Sequence, residues 1–254
     1  QNWEISCPID NEPWRDSRDV PPETAIALTK RHQCEGISWT YNEPTMWFEY
    51  TLDSAKLAKQ NNLYTVYVTN GYMTLEGLDT IGPYLDAWRV DVKGFSDRFY
   101  QELAKVPHWR GILDVARRAK EKWQMHVEVI TNIIPTMNDD DAQLSGIATW
   151  IKTDLGELTP WHVTRFYPHH GLMHLPPTPV ETLERAYDIG KKAGLKFVYA
   201  GNVAGHPSES TMCYSCGKLI VERYGYQTHI VGLKGSRCKY CGAELNFRVK
   251  LKEG

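Results

Sequence analysis

The chain has 254 residues, 42% of them hydrophobic and 24% charged, enough for one sizeable core and a small appendage. A formal net charge of −2 with no long Lys/Arg run argues against a non-specific nucleic-acid surface. No stretch of eighteen apolar residues occurs, so no membrane span is expected, and no signal peptide is visible.

From Pro21 onward, short apolar runs alternate with amphipathic stretches. Gly36–Tyr41 reads as a buried strand, Thr45–Asn61 as a helix, and Leu63–Thr69 as a strand closed by an Asn70-Gly71 turn. Ala87–Val92 is predicted as a strand. Trp109–Lys122 is predicted as a helix with Ile112, Val115, Ala116 and Ala119 on one face. Then follow strand Met125–Ile130, helix Asp140–Leu155, strand Trp161–Phe166, helix Val180–Ala193 capped by Gly194, and strand Leu195–Ala200. Strand–helix alternation at this spacing implies parallel strands joined by right-handed crossovers. The fold class is therefore α/β: a partial β/α (TIM-like) barrel, with a doubly wound open sheet as the alternative. The rhythm breaks at Gly205-His206-Pro207-Ser208, which divides a 1–205 barrel domain from a 206–254 appendage.

That appendage carries Cys213-Tyr-Ser-Cys216-Gly and Cys238-Lys-Tyr-Cys241-Gly. Two CxxC pairs about twenty residues apart have metal-site spacing. Each turn brings two thiolates to one ion, and a closed S4 shell suits zinc. The glycine after each second cysteine suits a tight knuckle. With β-like stretches at Lys218–Val221 and Leu245–Val249, this reads as a zinc ribbon; a rubredoxin-like iron site or two disulfides are the alternatives. The remaining Cys7 and Cys34 fit a reducing cytoplasm better than a disulfide-rich secreted protein.

In parallel α/β folds, chemistry gathers at the C-terminal ends of strands. Those ends read Tyr41-Asn42-Glu43-Pro44, Thr69-Asn70-Gly71, Asp91-Val92-Lys93-Gly94, Thr131-Asn132 and Tyr167-Pro168-His169-His170. Strand ends are polar in any case, but five together on one rim point to a polar-cofactor site. Other polar clusters have plainer readings. His170 and His174 stand four apart, yet Pro168, Gly171 and Pro176-Pro177 place them in a loop. Trp39, Trp47 and Phe48 read as barrel packing. Asp139-Asp140-Asp141 reads as a helix N-cap with acids on the helix dipole.

The runs Gln1-Asn2-Trp3-Glu4-Ile5-Ser6, Trp39-Thr40-Tyr41-Asn42-Glu43-Pro44-Thr45, Tyr67-Val68-Thr69-Asn70-Gly71-Tyr72, Asp91-Val92-Lys93-Gly94 and Phe166-Tyr167-Pro168-His169 carry a resemblance. With them the chain resembles the radical S-adenosylmethionine (SAM) proteins, in the pyruvate formate-lyase activating-enzyme-like branch. Within it the chain is similar to the radical SAM component of the AmmeMemoRadiSam system. The resemblance covers essentially the whole chain, ribbon included. It implies SAM, a [4Fe-4S] cluster, an external electron donor, and an unknown substrate, possibly a protein, from which a 5′-deoxyadenosyl radical takes hydrogen. It also implies that Glu43, beside Asn42 in place of the family's Gly-Gly-Glu, meets the methionyl ammonium. Asn70, Asp91 and Lys93 fall at positions that contact ribose and carboxylate. Thr131 and His169 are further candidates from the fourth and fifth strand ends.

One departure is large. The family's cluster is held by CxxxCxxC, and no such motif occurs in the 254 residues. In relatives a Cys-Gln-Asn-Trp-Glu-Ile-Ser run begins at the third cluster cysteine, and this sequence begins at Gln1. The expectation is a sequence lacking the first strand and all three ligands, and so unable by itself to cleave SAM. A glycyl-radical activase and a non-catalytic zinc-ribbon binding module are the alternative functions.

Overall fold

The computed structural model describes residues 18–248; the Gln1–Ser6 run, Cys7 and Val249 lie outside them. Six parallel strands run in the order β1 (Gly36–Trp39), β2 (Tyr64–Thr69), β3 (Ala87–Asp91), β4 (His126–Ile133), β5 (Trp161–Arg165) and β6 (Val198–Gly201). This sequential order is that of a β/α-barrel segment. A doubly wound sheet reverses its strand order at a switch point, and none occurs here. Helices lie between the strands: α1 (Pro22–Arg31) before β1, then α2 (Phe48–Gln60), α3 (Leu75–Ile81), α4 (Arg110–Glu121), α5 (Asp141–Trp150) and α6 (Val180–Ala193). None of the described helices is long and apolar enough to cross a membrane.

The chain divides into two compact units. Of the described residues, one unit comprises 18–91, His108–Val127 and His169–His174; the other comprises Val92–Pro107, Glu128–Pro168 and 175–248. In the first, the register pairs Trp39 with Tyr67 and Tyr67 with Trp88, so three aromatic side chains form one buried row. Tyr67 and Trp88 stack with centroids 5.4 Å apart. Burying each ring contributes on the order of 2–3 kcal/mol. That gain offsets the cost of the Trp39 and Trp88 indole N–H groups, which are buried with no hydrogen-bond partner among the described residues. Helix α2 covers this face, its Thr51 hydroxyl 3.0 Å from the Tyr67 hydroxyl. Helix α4 buries Ile112, Val115, Ala116 and Ala119, the face expected from its spacing.

In the second unit, α6 presses on β5 and β6 through Gly190. A Cβ there would stand 2.9 Å from both Trp161 and Val198, so only glycine allows this approach. Asp140 caps α5 by accepting from the Gln143 N–H at 2.9 Å, with Asp141 in the first turn, as the acidic run implied.

The C-terminal segment carries β7 (Thr211–Met212), β8 (Leu219–Tyr224) and β9 (Gln227–Ile230) in one antiparallel sheet, and β10 (Leu233–Lys234) with β11 (Arg237–Cys238) in another. The β-like reading of Leu245–Val249 is corrected: residues 245–248 form no strand, and the nearby pairing is a single Arg237–Glu244 bridge. The segment packs against the end of the α/β body. Phe197 shares one buried cluster with Cys213, Ile220, Val221, Cys238 and Leu245, with Leu158 and Tyr199 against it.

Candidate functional site

Two sets of residues carry chemistry. The four cysteines form the first. All four sulfurs lie within 4.8 Å of one another, with Cys213–Cys241 at 3.6 Å and Cys216–Cys238 at 3.7 Å. A tetrahedral ion with metal–sulfur bonds of about 2.3 Å holds its sulfurs about 3.8 Å apart. The geometry thus fits one ion.

Backbone, rather than side-chain packing, shapes the knuckles. Gly217 N–H donates to the Cys213 carbonyl and Gly242 N–H to that of Cys238, each at 2.9 Å. Both glycines have positive φ, +69° and +75°, as the tight turns require. At Cys216 the Lys218 N–H favours thiolate, but desolvation and the neighbouring sulfurs outweigh it and push the thiol up to about 12. At Cys238 desolvation acts upward, yet the N–H groups of Cys241 and Tyr240 and the adjoining thiols bring it down to about 7. A divalent ion displaces the protons these sulfurs otherwise share.

The second set lies at the strand ends. Past β1 the chain turns through Tyr41, in the left-handed region at φ +73°, and enters a 3₁₀ turn at Pro44–Trp47 with Glu43 as its cap. The Glu43 carboxylate is held by four donors. Its Oε1 accepts from the Thr45 N–H at 3.1 Å, the Thr45 hydroxyl at 2.6 Å and the Thr69 hydroxyl at 2.7 Å. Its Oε2 accepts from the Asn70 N–H at 2.7 Å. Glu43 therefore straps the loop after β1 to the end of β2. Oε1 is filled, while Oε2 keeps acceptor capacity.

Below the strap, burial pushes the Tyr67 phenol up to about 12; the Thr51 hydrogen bond opposes this and the Glu43 charge adds to it. Asn70 Oδ1 accepts from the Tyr72 N–H at 2.8 Å, and Gly71 takes φ +74° where a Cβ would meet Ile112 and Val90 at 2.8 Å. Because Thr69 pairs with Val90, Asn70 and Asp91 come next at adjacent positions. The fold thus brings Asn42, Glu43, Asn70 and Asp91 to one set of strand ends in the first unit.

In the second unit, Lys93 donates its N–H to the Tyr100 hydroxyl at 3.1 Å. Its carbonyl accepts from Asn138 Nδ2 at 2.5 Å. Asn138 is fully buried and also bonds the Asn132 carbonyl and the Ile134 N–H. It fixes the segments after β3 and at the end of β4, a role its sequence neighbourhood did not signal. Thr131 is placed differently from expectation. Strand β4 runs on to Ile133, so Thr131 lies inside the sheet, fully buried. Its hydroxyl donates to the Val92 carbonyl at 2.8 Å and accepts from Trp161 Nε1 at 3.0 Å. His169 is exposed at the start of a 3₁₀ turn, His170–Leu172.

The family described as the radical SAM superfamily matches residues 1–145, more than half of the sequence. The chain belongs to the radical SAM superfamily. It is 39% identical over 250 residues to an uncharacterised protein of Methanocaldococcus jannaschii, spanning 97% of this chain and 73% of that one. It is 26% identical over 152 residues to the isethionate sulfite-lyase activating enzyme of Nitratidesulfovibrio vulgaris, spanning 59% of this chain and 49% of the relative. A domain of a pyruvate-formate lyase-activating enzyme from Bacteroides vulgatus superposes with TM-score 0.55 at 19% identity, covering 66% of this chain and 99% of that domain. This radical SAM chain thus has the α/β fold of activating-enzyme-like members of its superfamily.

The residues present fit one half of the superfamily's cofactor pair. Acceptors at the β1–β3 ends of the first unit suit the ammonium and ribose hydroxyls of SAM. They do not fit a [4Fe-4S] cluster with three protein ligands. Outside the four-cysteine centre the sequence has only Cys7 and Cys34, and sulfurs all within 4.8 Å of one another suit a single ion better than a four-iron cube.

Proposed function

We propose that this chain is the SAM-binding body of a radical SAM enzyme whose [4Fe-4S] ligands are not among its six cysteines. The observation that carries the reading is the set of Asn42, Glu43, Asn70 and Asp91 at the β1–β3 ends of the first unit of a superfamily member. In such enzymes the bound cofactors supply a one-electron cleavage of the sulfonium and a radical that takes hydrogen from substrate. The residues here would bind and orient SAM: Glu43 would hold the methionyl ammonium, Asn70 and Asp91 the ribose, and Lys93 the carboxylate. An external electron donor and a substrate, possibly a protein, complete the reaction, within a cytoplasmic setting.

Likeness to two activating enzymes favours a second reading, activation of a glycyl-radical enzyme. The ordered motifs favour the AmmeMemoRadiSam branch. The four-cysteine centre takes zinc, as a closed structural site. The test is calorimetry with SAM on the purified chain, alongside anaerobic reconstitution with iron and sulfide. Saturable SAM binding with no stable cluster absorption is expected. Absence of SAM binding overturns the reading, and a stoichiometric [4Fe-4S] chromophore overturns the ligand assignment.

A further inference from the structure

Within the second unit β5 and β6 alternate, and β4 does so except at Ile130. Val129, Thr131, Trp161, Val163, Val198 and Ala200 are buried on one face, where Trp161 and Val198 meet α6 at Gly190. The opposite face carries Glu128, Asn132, His162, Thr164, Tyr199 and Gly201, all only partly buried, around one buried residue, Ile130, which pairs with His162. Strands of a parallel sheet covered on both faces read as continuous apolar runs. Apart from Ile130 this face is polar, so it serves as a surface rather than as core.

One constellation on it is built. His162 Nε2 stands 2.9 Å from Glu128 Oε2, with side chains 29% and 33% exposed. The His162 ring stacks on Tyr199 at 5.1 Å and 26°. The Tyr199 hydroxyl is 2.9 Å from the Thr211 hydroxyl, and Arg223 donates to the same Thr211 oxygen at 2.6 Å while lying 5.5 Å from the Tyr199 ring. Thr211 and Arg223 belong to β7 and β8, so the cysteine-bearing segment props the stack from behind. In the tautomer that donates Nε2–H to the carboxylate, Nδ1 carries the lone pair. It has no hydrogen-bond partner among the described residues and is not sealed from solvent. In the next row Thr164 approaches Asn132 Oδ1 at 3.4 Å, opposite Gly201, which adds no side chain.

We infer that His162, oriented by Glu128 and propped by Tyr199 and Arg223, is a binding residue for a ligand O–H or N–H group, which donates to Nδ1. Its assignment to the enzyme's substrate, a hydroxyl- or amide-bearing molecule, rests on the radical SAM reading above. Arg223 is a positioning residue, which would give the cysteine-bearing segment a part in the site.

The test uses the zinc-loaded chain and diethyl pyrocarbonate, which acylates unprotonated imidazole, with peptide mass spectrometry at each histidine. His162 is expected to react on the time scale of the exposed His169 and His170. Glu128→Gln should slow His162 alone by about fivefold, the size of turning a charge-assisted hydrogen bond into a neutral one. Molar acetamide, an N–H donor, should protect His162 and spare His170, whereas acetate, which only accepts, should not. Arg223→Ala should shift the His162 ring resonances by NMR with zinc content unchanged, and Arg223→Lys should shift them less. An unreactive His162, a rate insensitive to Glu128→Gln, or equal protection by acetamide and acetate overturns the inference. SAM calorimetry on the same samples is a separate readout: loss of SAM binding removes the enzyme assignment and leaves the His162 result standing.

Discussion

The cysteine centre and the Glu43 strap hold the chain together by opposite means. At the knuckles, local backbone sets four sulfurs at metal-binding separations from two CxxC runs, so the site is written in short spacing. At the strap, one carboxylate gathers donors from residues 45, 69 and 70, and only the pairing of β1 with β2 brings them within reach. A locally encoded site can be lost with one ligand. A fold-encoded site weakens by the worth of each bond removed.

The largest effect should come from the metal. A structural zinc contributes apparent binding energies of about 10–16 kcal/mol in small zinc domains. Cys216→Ser, or a strong chelator, should drop zinc from one equivalent to near none. Because Phe197 and Leu158 share the ribbon's core, hydrogen exchange should then rise in 197–201 as well as beyond residue 205. SAM affinity at the β1–β3 ends should be unaltered. Exchange confined to the segment after residue 205 would show that the two cores are independent. X-ray absorption finding iron in the shell would replace zinc.

Next comes Glu43→Gln, which swaps an acceptor for an NH₂ group facing donors. A hydrogen bond to a charged group is worth roughly 1.5–3 kcal/mol, and both the melting temperature and SAM affinity should fall. Unchanged affinity with reduced stability would leave Glu43 as strap alone.

The smallest effect at neutral pH concerns Asp79. Hydrogen bonding from Arg118, with Lys122 and Trp123 against desolvation, holds its carboxyl well below the usual carboxylate range. A carboxyl depressed in the folded state stabilises above its unfolded value, about 4, and loses that contribution as pH falls through the folded value. Urea midpoints should drop from pH 6 toward pH 3, and Asp79→Asn should flatten that part of the profile. A parallel profile in the variant would assign acid sensitivity elsewhere.

Strands were legible because each buried run alternates visibly, and Val180–Ala193 was legible to the residue because Pro179 and Gly194 bound it. Helix Pro22–Arg31 was not read, since only Ile26 is buried on it. Leu75–Ile81 is two turns long and marked chiefly by its Thr74 cap. Glu43, Asn70 and Asp91 came from motif order, and the fold does gather them. Thr131 misled because the strand runs three residues further than its apolar stretch, and an odd shift in a period-2 element turns a side chain to the other face. Asn138 could not be found from sequence: a buried amide is defined by which carbonyls converge on it.

The shared cluster of Phe197 with Ile220, Val221 and Leu245 also sets a timetable. During synthesis β6 emerges well before the second knuckle. Until Cys238 and Cys241 leave the ribosome and capture an ion, Phe197 and Leu158 have no cover from the segment that will bury them. Exposed apolar surface on a nascent α/β body invites misassembly. Metal supply should therefore govern how much of this protein survives its own synthesis, with zinc-starved cells accumulating it in aggregates rather than as an intact metal-free chain.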